Sequence, residues 1–216
     1  MTTDQNNPFK HLRVLLPGAR NAELPQTLPS GSDTPAATKV RGIPISRLSD
    51  SFENFDLKLN PEMKAAYDQC RGIVTGEEWC AILAGNFGNG KTHLGIATIN
   101  AFGRDQGYFW KIPDFMEWLK ERAFGHGEDS GYGLDTLLRG YRTGQFLLVF
   151  DDLGAENQTD WASEQLYRVL DARYDLRLPT IITTNQPLSR IDGRIASRLR
   201  EGLIVCKGKD IRARKP

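Results

Sequence analysis

The apolar residues of this chain form short continuous runs that alternate with longer stretches of helical periodicity. A run without polar alternation is typical of a strand buried on both faces of a parallel sheet. The predicted strands are Trp79–Ala84, Tyr108–Ile112, Phe146–Phe150, Pro179–Thr184 and Leu203–Cys206. Because these strands alternate with helices, the pattern predicts an α/β fold with a parallel, doubly wound sheet.

The predicted helices lie between the strands. They run from Asn60 to about Val74, from Lys91 to about Gly103, from Pro113 through Arg122, from Leu134 to Tyr141, from Asp160 through Tyr174 and from Asp192 through Leu199. Asn60 is the predicted N-cap of the first helix, because a proline follows it, and Gly76 ends that helix. The aromatic residues of the third helix recur at helical spacing, which indicates core packing rather than a ligand site.

The first 47 residues differ in composition from the rest of the chain. They are rich in Pro, Asn, Ser, Thr and Gly, and such a segment buries too little apolar surface to offset its ordering entropy. We expect a flexible segment over residues 1–47 and a folded domain over residues 48–216. Phe9–Leu16 is an apolar exception, and it is either a short partner-binding element or an incidental cluster.

Composition narrows the class of protein. The chain has 216 residues, of which 25% are charged, and a net charge of +1, which predicts a soluble protein. It contains no apolar run of roughly 20 residues and no signal-peptide pattern, so we expect no membrane partner and a cytoplasmic location. The cysteines are odd in number and far apart, which favours reduced thiols over a disulfide or zinc site: Cys70, Cys80 and Cys206.

A glycine-rich loop follows the first predicted strand. Gly85–Thr92 reads G-N-F-G-N-G-K-T and matches the G-x-x-x-x-G-K-[ST] pattern between a strand and a helix. Its glycines let the backbone turn N–H groups toward an anion, and the helix N-terminus adds a favourable field. Lys91 is predicted to reach the β- and γ-phosphates and Thr92 to bind Mg²⁺, so the sequence predicts a nucleoside triphosphate site.

Two carboxylates follow the apolar strand Phe146–Phe150. Residues just past such a strand lie at the carboxyl edge of the sheet, where α/β folds bind ligands. Asp151 is predicted to hold Mg²⁺, and Asp152 to orient or deprotonate the attacking water. The alternative is that both acids are solvated in a turn, but the phosphate loop upstream favours the ligand-binding interpretation.

Polar residues also end the strand Pro179–Thr184. Asn185 follows it and is predicted to bond the attacking water or a phosphate oxygen. Arg194 and Arg198 lie four residues apart, on one face of the next helix. Arginine neutralises the charge that develops on a transferring phosphoryl group, whereas a basic solvated face is the alternative for this pair.

Taken together, these motifs resemble those of the AAA+ ATPases. Four segments are similar to those of the DnaC/DnaI helicase-loader branch, which includes the IstB transposition ATPases: Phe52–Phe55, Gly90–Leu94, Phe150–Glu156 and Arg173–Thr180. The resemblance covers roughly residues 48–214. It implies a P-loop NTPase fold with a three-layer αβα parallel sheet, lacking the C-terminal helical lid that most AAA+ proteins carry.

The resemblance also implies the roles of individual residues. ATP and Mg²⁺ are the implied cofactors, with Thr92 and Asp151 as metal ligands and Asp152 and Asn185 as catalytic residues. Arg198 matches the family's arginine finger, which acts on the site of a neighbouring subunit, and Arg194 is a second candidate. The implied nucleotide-binding residues are Gly85, Asn86, Phe87, Gly88, Asn89, Gly90, Lys91, Thr92 and His93.

Partners are implied in the same way. The family assembles as a ring or spiral and binds single-stranded DNA, for which we expect the Phe115–Arg122 helix and the Gly125–Gly133 loop with its Tyr132. The leading hypothesis is an ATPase that places a replicative hexameric helicase on single-stranded DNA. An IstB-type helper that binds duplex DNA and a transposase is one alternative. A nucleotide-gated assembly module with little turnover is another, because Asp152 stands where glutamate is more usual.

Overall fold

The computed structural model describes residues 39–103, 106–124, 134–154 and 160–211. A short hairpin comes first, with β1 at Lys39–Val40 and β2 at Ile43–Pro44. The remaining strands are β3 Cys80–Gly85, β4 Gly107–Lys111, β5 Leu147–Leu153, β6 Thr180–Thr184 and β7 Leu203–Cys206. The helices are α1 Lys64–Thr75, α2 Lys91–Phe102, α3 Ile112–Phe124, α4 Leu134–Thr143, α5 Asp160–Asp175 and α6 Gly193–Arg198.

All five predicted strands pair in one parallel sheet, which confirms the predicted class of fold. The strand order is β4-β5-β6-β3-β7, so β6 lies between the acidic strand β5 and the loop-bearing strand β3. In register, Leu83 pairs with Thr183 on one side and with Ile204 on the other. The carboxyl ends of β3, β5 and β6 therefore meet at one edge of the sheet.

The sheet is the middle layer of three. On one face, α1 and α2 pack over side chains such as Leu83 and Val149. On the other face, α3, α4, α5 and α6 pack over side chains such as Ile82 and Phe150. Since alternate strand residues are buried on opposite faces, the apolar runs show no polar alternation.

The structure modifies two details of the sequence prediction and confirms a third. The strand predicted as Phe146–Phe150 continues to Leu153, with an irregular register between Phe150 and Leu153, so the two acids lie inside its last residues. Asn60 makes no side-chain cap, since a short 3₁₀ turn precedes α1 and its amide bonds distant groups instead. Gly76 does end the helix, in the left-handed conformation.

Residues 39–47, which belong to the segment expected to be flexible, pack on the domain. Ile43 is fully buried, and the Phe109 amide donates to the Arg41 carbonyl. In the described part of the chain, which ends at residue 211, no helix follows β7. None of the described helices is both long and apolar enough to cross a membrane.

Candidate nucleotide-binding site

The phosphate loop connects β3 to α2 as the sequence predicts. Gly88 has φ +75° and Gly90 has φ +102°, values that side chains other than glycine rarely adopt. A methyl group on Gly90 would also lie 2.6 Å from the Phe55 ring, because that ring packs directly on the loop. The two glycines therefore provide both the required turn and the close packing.

Lys91 lies within the curve of this loop and is only 5% exposed. Its Nζ donates to the Gly85 carbonyl at 2.8 Å, to the Asn86 carbonyl at 2.6 Å and to Asn89 Oδ1 at 3.1 Å. Asn89 is itself fully buried, and its Nδ2 donates to the Cys206 carbonyl at 3.2 Å. The loop thus positions the ammonium group through two of its own carbonyl oxygens and one side-chain oxygen.

Two residues of the implied nucleotide set face other directions. Phe87 is 59% exposed at the loop. His93 Nε2 lies 2.9 Å from the Ser51 carbonyl, and its ring contacts Phe55 at a centroid distance of 5.3 Å. His93 therefore anchors the segment before α1 to α2, and its contact with nucleotide stays a prediction.

Thr92 and Asp151 are brought together by the order of the strands, in which only β6 separates β5 from β3. The Thr92 hydroxyl donates to Asp151 Oδ1 at 2.8 Å, and the Thr183 hydroxyl donates to the same oxygen at 2.7 Å. Burial raises the pKa of Asp151, whereas the two hydroxyl bonds lower it and the nearby Asp152 charge raises it further. The hydroxyl and the buried carboxylate together offer hard oxygen ligands, which Mg²⁺ binds in combination with substrate phosphates.

Asp152 occupies the irregular end of β5. It has φ +65°, its amide donates to Thr183 Oγ1 at 3.0 Å, and Asn185 Nδ2 donates to its Oδ1. A non-glycine residue in the left-handed region at a sheet edge is strained, and such strain is found at functional sites. The structure places Asn185 directly beside Asp152, and the role of the two residues toward a water molecule stays a prediction.

Thr183 is the site residue that sequence reasoning did not single out. It is 2% exposed, and its one hydroxyl bonds both the Asp151 carboxylate and the Asp152 backbone amide. Its strand position in the run Thr183-Thr184-Asn185 was the available signal. Which of two adjacent threonines faces the acids depends on the register of β6 against β5, which the sequence does not contain.

The two arginines lie away from this group of residues. Arg194 Nη1 is 2.8 Å from Glu164 Oε2 and its guanidinium stacks over Tyr167, whereas Arg198 Nε is 2.7 Å from Asp171 Oδ1. Arg198 also lines a small cavity with Cys80, the first residue of β3. The phosphate loop leaves the opposite end of that six-residue strand, roughly 17 Å away at about 3.3 Å per residue.

The helix expected to bind DNA has its aromatic side chains in the core. Phe115 is fully buried and Trp118 is 8% exposed, so neither presents a ring for stacking, and the prediction of core packing is confirmed. Phe124, at the end of α3, is 66% exposed and contacts Trp161. The Gly125–Gly133 loop with Tyr132 lies outside the described residues.

The donor set fits a nucleotide with Mg²⁺ better than it fits a protein-only metal site. Among the residues that the structure describes, no group of three or more His, Cys, Asp or Glu side chains could hold a metal ion. Thr92 and Asp151 supply two oxygens, so phosphate oxygens and water would complete the coordination. A nucleoside triphosphate bound at Gly85–Thr92 would bring those oxygens.

Comparison with known proteins agrees with this geometry. Residues 47–197 match the family described as IstB-like ATP binding protein. The chain belongs to this family. A protein in an insertion sequence of Mycobacterium tuberculosis, named as ATP-binding, is 30% identical over 140 residues, which are 63% of this chain and 53% of that relative. The chain thus spans about half the length of the insertion-sequence relative.

Similar crystal structures confirm the AAA+ P-loop fold. The DnaC helicase loader superposes with a TM-score of 0.61 and 28% identity, over 76% of this chain and 99% of that chain. DnaI superposes with a TM-score of 0.61 and 22% identity, over 77% of this chain and 95% of that chain. The resemblance to this group that the motifs indicated is therefore confirmed, together with the three-layer sheet.

Proposed function

We propose that this member of the IstB-like ATP-binding family hydrolyses ATP with Mg²⁺. The observation that carries the proposal is the arrangement of Lys91, Asp151 and Asp152 around one sheet edge, with Thr92 and Asn185 completing it. Lys91 would bind the β- and γ-phosphates, and Thr92 with Asp151 would hold Mg²⁺. When bound, Mg²⁺ would neutralise charge on the phosphate oxygens.

The remaining residues would handle the attacking water. The Asp152 carboxylate would accept a proton from it, and the Asn185 amide would hold both that carboxylate and the water in place. Asp152→Asn is expected to abolish turnover while nucleotide binding is kept. If binding is retained and wild-type turnover is already negligible, the protein is a nucleotide-gated assembly module instead.

We propose further that the site is completed by a second copy of the chain. Arg198 lies near the amino edge of the sheet, so it cannot reach the phosphate loop of its own subunit without a large rearrangement. In a head-to-tail ring or spiral, an arginine on one face of a subunit can reach the loop of the next. Arg198 is the first candidate for that role and Arg194 the second.

Mixing of variants tests the shared site. Lys91→Ala and Arg198→Ala subunits are each expected to be inactive alone. In an equal mixture, roughly a quarter of the head-to-tail interfaces pair an intact loop with an intact arginine, so part of the activity returns. A mixture that assembles but stays inactive would refute the assignment of Arg198, and the same mixture with Arg194→Ala tests the second candidate.

For the biological role, we propose the loading of a replicative hexameric helicase onto single-stranded DNA. The support is the DnaC likeness, which extends over 99% of the DnaC chain, whereas only 53% of the insertion-sequence relative is covered. The transposition alternative is supported by the family match and by that same relative. Both roles use the same ATP site and differ in their partners.

The discriminating experiment measures ATP turnover with each set of partners. A helicase loader is expected to respond to single-stranded DNA and to a hexameric helicase from the same source. A transposition helper is expected to respond to duplex DNA and to the transposase. If neither set alters turnover or binds the protein, both roles are refuted, although the ATPase proposal is unaffected.

A further inference from the structure

The segment that follows β7 lies against the phosphate loop. We call residues 207–211 the strap. The Ile211 amide donates to the Gly88 carbonyl at 3.1 Å, and a methyl group on Gly88 would overlap the Asp210 carboxylate. The strap and the loop are therefore in direct contact, although Gly88 and the first strap residue, Lys207, are 119 positions apart in the sequence.

Asn60 fastens the strap to the loop. It is 1% exposed, and its Nδ2 donates to the Asn89 carbonyl and to the Lys209 carbonyl, each at 3.2 Å. Its Oδ1 accepts from the Lys209 amide at 3.1 Å. Both ends of the side-chain amide are thus engaged, which is the usual condition for burying such a group without loss of stability.

These bonds continue to the lysine that would bind phosphate. Asn60 holds the carbonyl of Asn89, and the side chain of Asn89 in turn accepts from Lys91 Nζ at 3.1 Å. A continuous network of polar groups therefore runs from Lys91 through Asn89 and Asn60 to Lys209. Buried networks of this kind are rigid when fully satisfied and costly when one member is removed.

We propose that Asn60 is a positioning residue for nucleotide binding, which couples the docking of the strap to the placement of Lys91. The inference rests on the proposed ATP site and adds a regulatory element to it. Coupling between two sites is reciprocal, so whatever displaces the strap weakens nucleotide binding, and bound nucleotide protects the strap. A partner that binds the strap would thereby control nucleotide affinity.

The first test compares Asn60→Ala with a matched asparagine. Asn100 donates to the carbonyls of Leu48 and Asp50, at 3.1 and 2.7 Å, so these two bonds also fasten a distant segment, and both go to residues outside the loop and the strap. Asn60→Ala is expected to weaken binding of a fluorescent ATP analogue about tenfold. Asn100→Ala is expected to lower the melting temperature yet leave the affinity at the wild-type value.

The second test perturbs the same contact from the strap. A methyl group on Gly208 would overlap the Asn60 amide, so Gly208→Ala is expected to break the tie and to weaken binding to a similar extent. Both changes remove the same contact between Asn60 and the strap. The Asn60→Ala, Gly208→Ala double variant is therefore expected to have the affinity of whichever single variant binds the nucleotide less tightly. Effects that multiply in the double variant would contradict the coupling.

Hydrogen exchange supplies a measurement that a purely structural role would not alter. ATP analogue is expected to slow exchange at the Lys209 and Ile211 amides in the wild type and in Asn100→Ala, but not in Asn60→Ala. Wild-type affinity in both Asn60→Ala and Gly208→Ala would overturn the inference. Lys91→Ala is measured alongside, because unchanged binding in that variant would refute the nucleotide site itself.

Discussion

Thr183→Val is the sharpest test of the acidic part of the site. The substitution keeps the branched shape of the side chain and removes one hydroxyl, which bonds the Asp151 carboxylate at 2.7 Å and the Asp152 amide at 3.0 Å. A hydrogen bond to a charged group contributes about 1.5–3 kcal/mol, and the half-buried Asp152 amide left without its partner adds about 1 kcal/mol. We therefore expect a loss of about 2.5–4 kcal/mol in the free energy of unfolding, measured in denaturant.

The same substitution has a predictable effect on pH dependence. The Thr183 bond lowers the pKa of Asp151, which burial has already raised, so its removal raises that pKa further. Because Mg²⁺ binds the ionised carboxylate, Mg²⁺-dependent nucleotide affinity falls as the pH drops through the pKa of Asp151. In Thr183→Val this fall is expected at higher pH than in the wild type.

Thr184→Val is the matched control. Thr184 is fully buried in the same strand, and its hydroxyl also donates one bond, to the Leu153 carbonyl at 2.7 Å, and accepts one, from the Gln186 amide at 3.0 Å. Neither bond involves an acid, so a similar loss of stability is expected with an unshifted pH profile. Identical pH profiles for the two variants would refute the role assigned to Thr183.

Three further predictions concern other parts of the domain. Arg173 is buried and donates to one hydroxyl and four carbonyls, so Arg173→Lys is expected to cost about 2–4 kcal/mol in denaturant unfolding. Arg177, whose side chain is 60% exposed in the turn that follows α5, is the control, and Arg177→Lys should unfold like the wild type. Burial raises the pKa of Cys70 to about 12, so iodoacetamide should label this thiol at pH 8 only when the protein is unfolded. Rapid labelling of Cys70 in the native protein would contradict its burial. Phe124→Ala is expected to weaken single-stranded DNA binding roughly tenfold with little change in melting temperature, and unchanged affinity would exclude its exposed ring as a stacking surface.

Much of the fold and site could be predicted because the signals are local. The strand Leu203–Cys206 was predicted with its observed ends, and β3 and β6 within one residue at either end, since buried parallel strands are continuous apolar runs. The loop Gly85–Thr92 could be predicted because its glycine, lysine and threonine positions match the phosphate-loop pattern between a strand and a helix. Asp151 and Asn185 could be placed at the carboxyl edge of the sheet because each follows a predicted parallel strand.

Other features depended on contacts between residues distant in sequence. Asn60-Pro61 has the local pattern of a helix cap, but the Asn60 side chain bonds groups 29 and 149 residues away. Arg173 belongs to a helix, where a cation is expected to face solvent, yet it is 1% exposed because carbonyls from several segments converge on it. Such convergence is a property of the packed chain and leaves no periodicity in the sequence.

The sequence by itself determined the class of fold, the nucleotide loop and the identity of the acids, because each is specified within a few neighbouring residues. Only the tertiary structure decided which threonine holds those acids, which residue ties the loop to the strap and that Arg198 lies beside the first residue of β3. These three facts depend on the strand order β4-β5-β6-β3-β7 and its register. Strand order and register are set by the packing of the whole sheet, so no local pattern contains them.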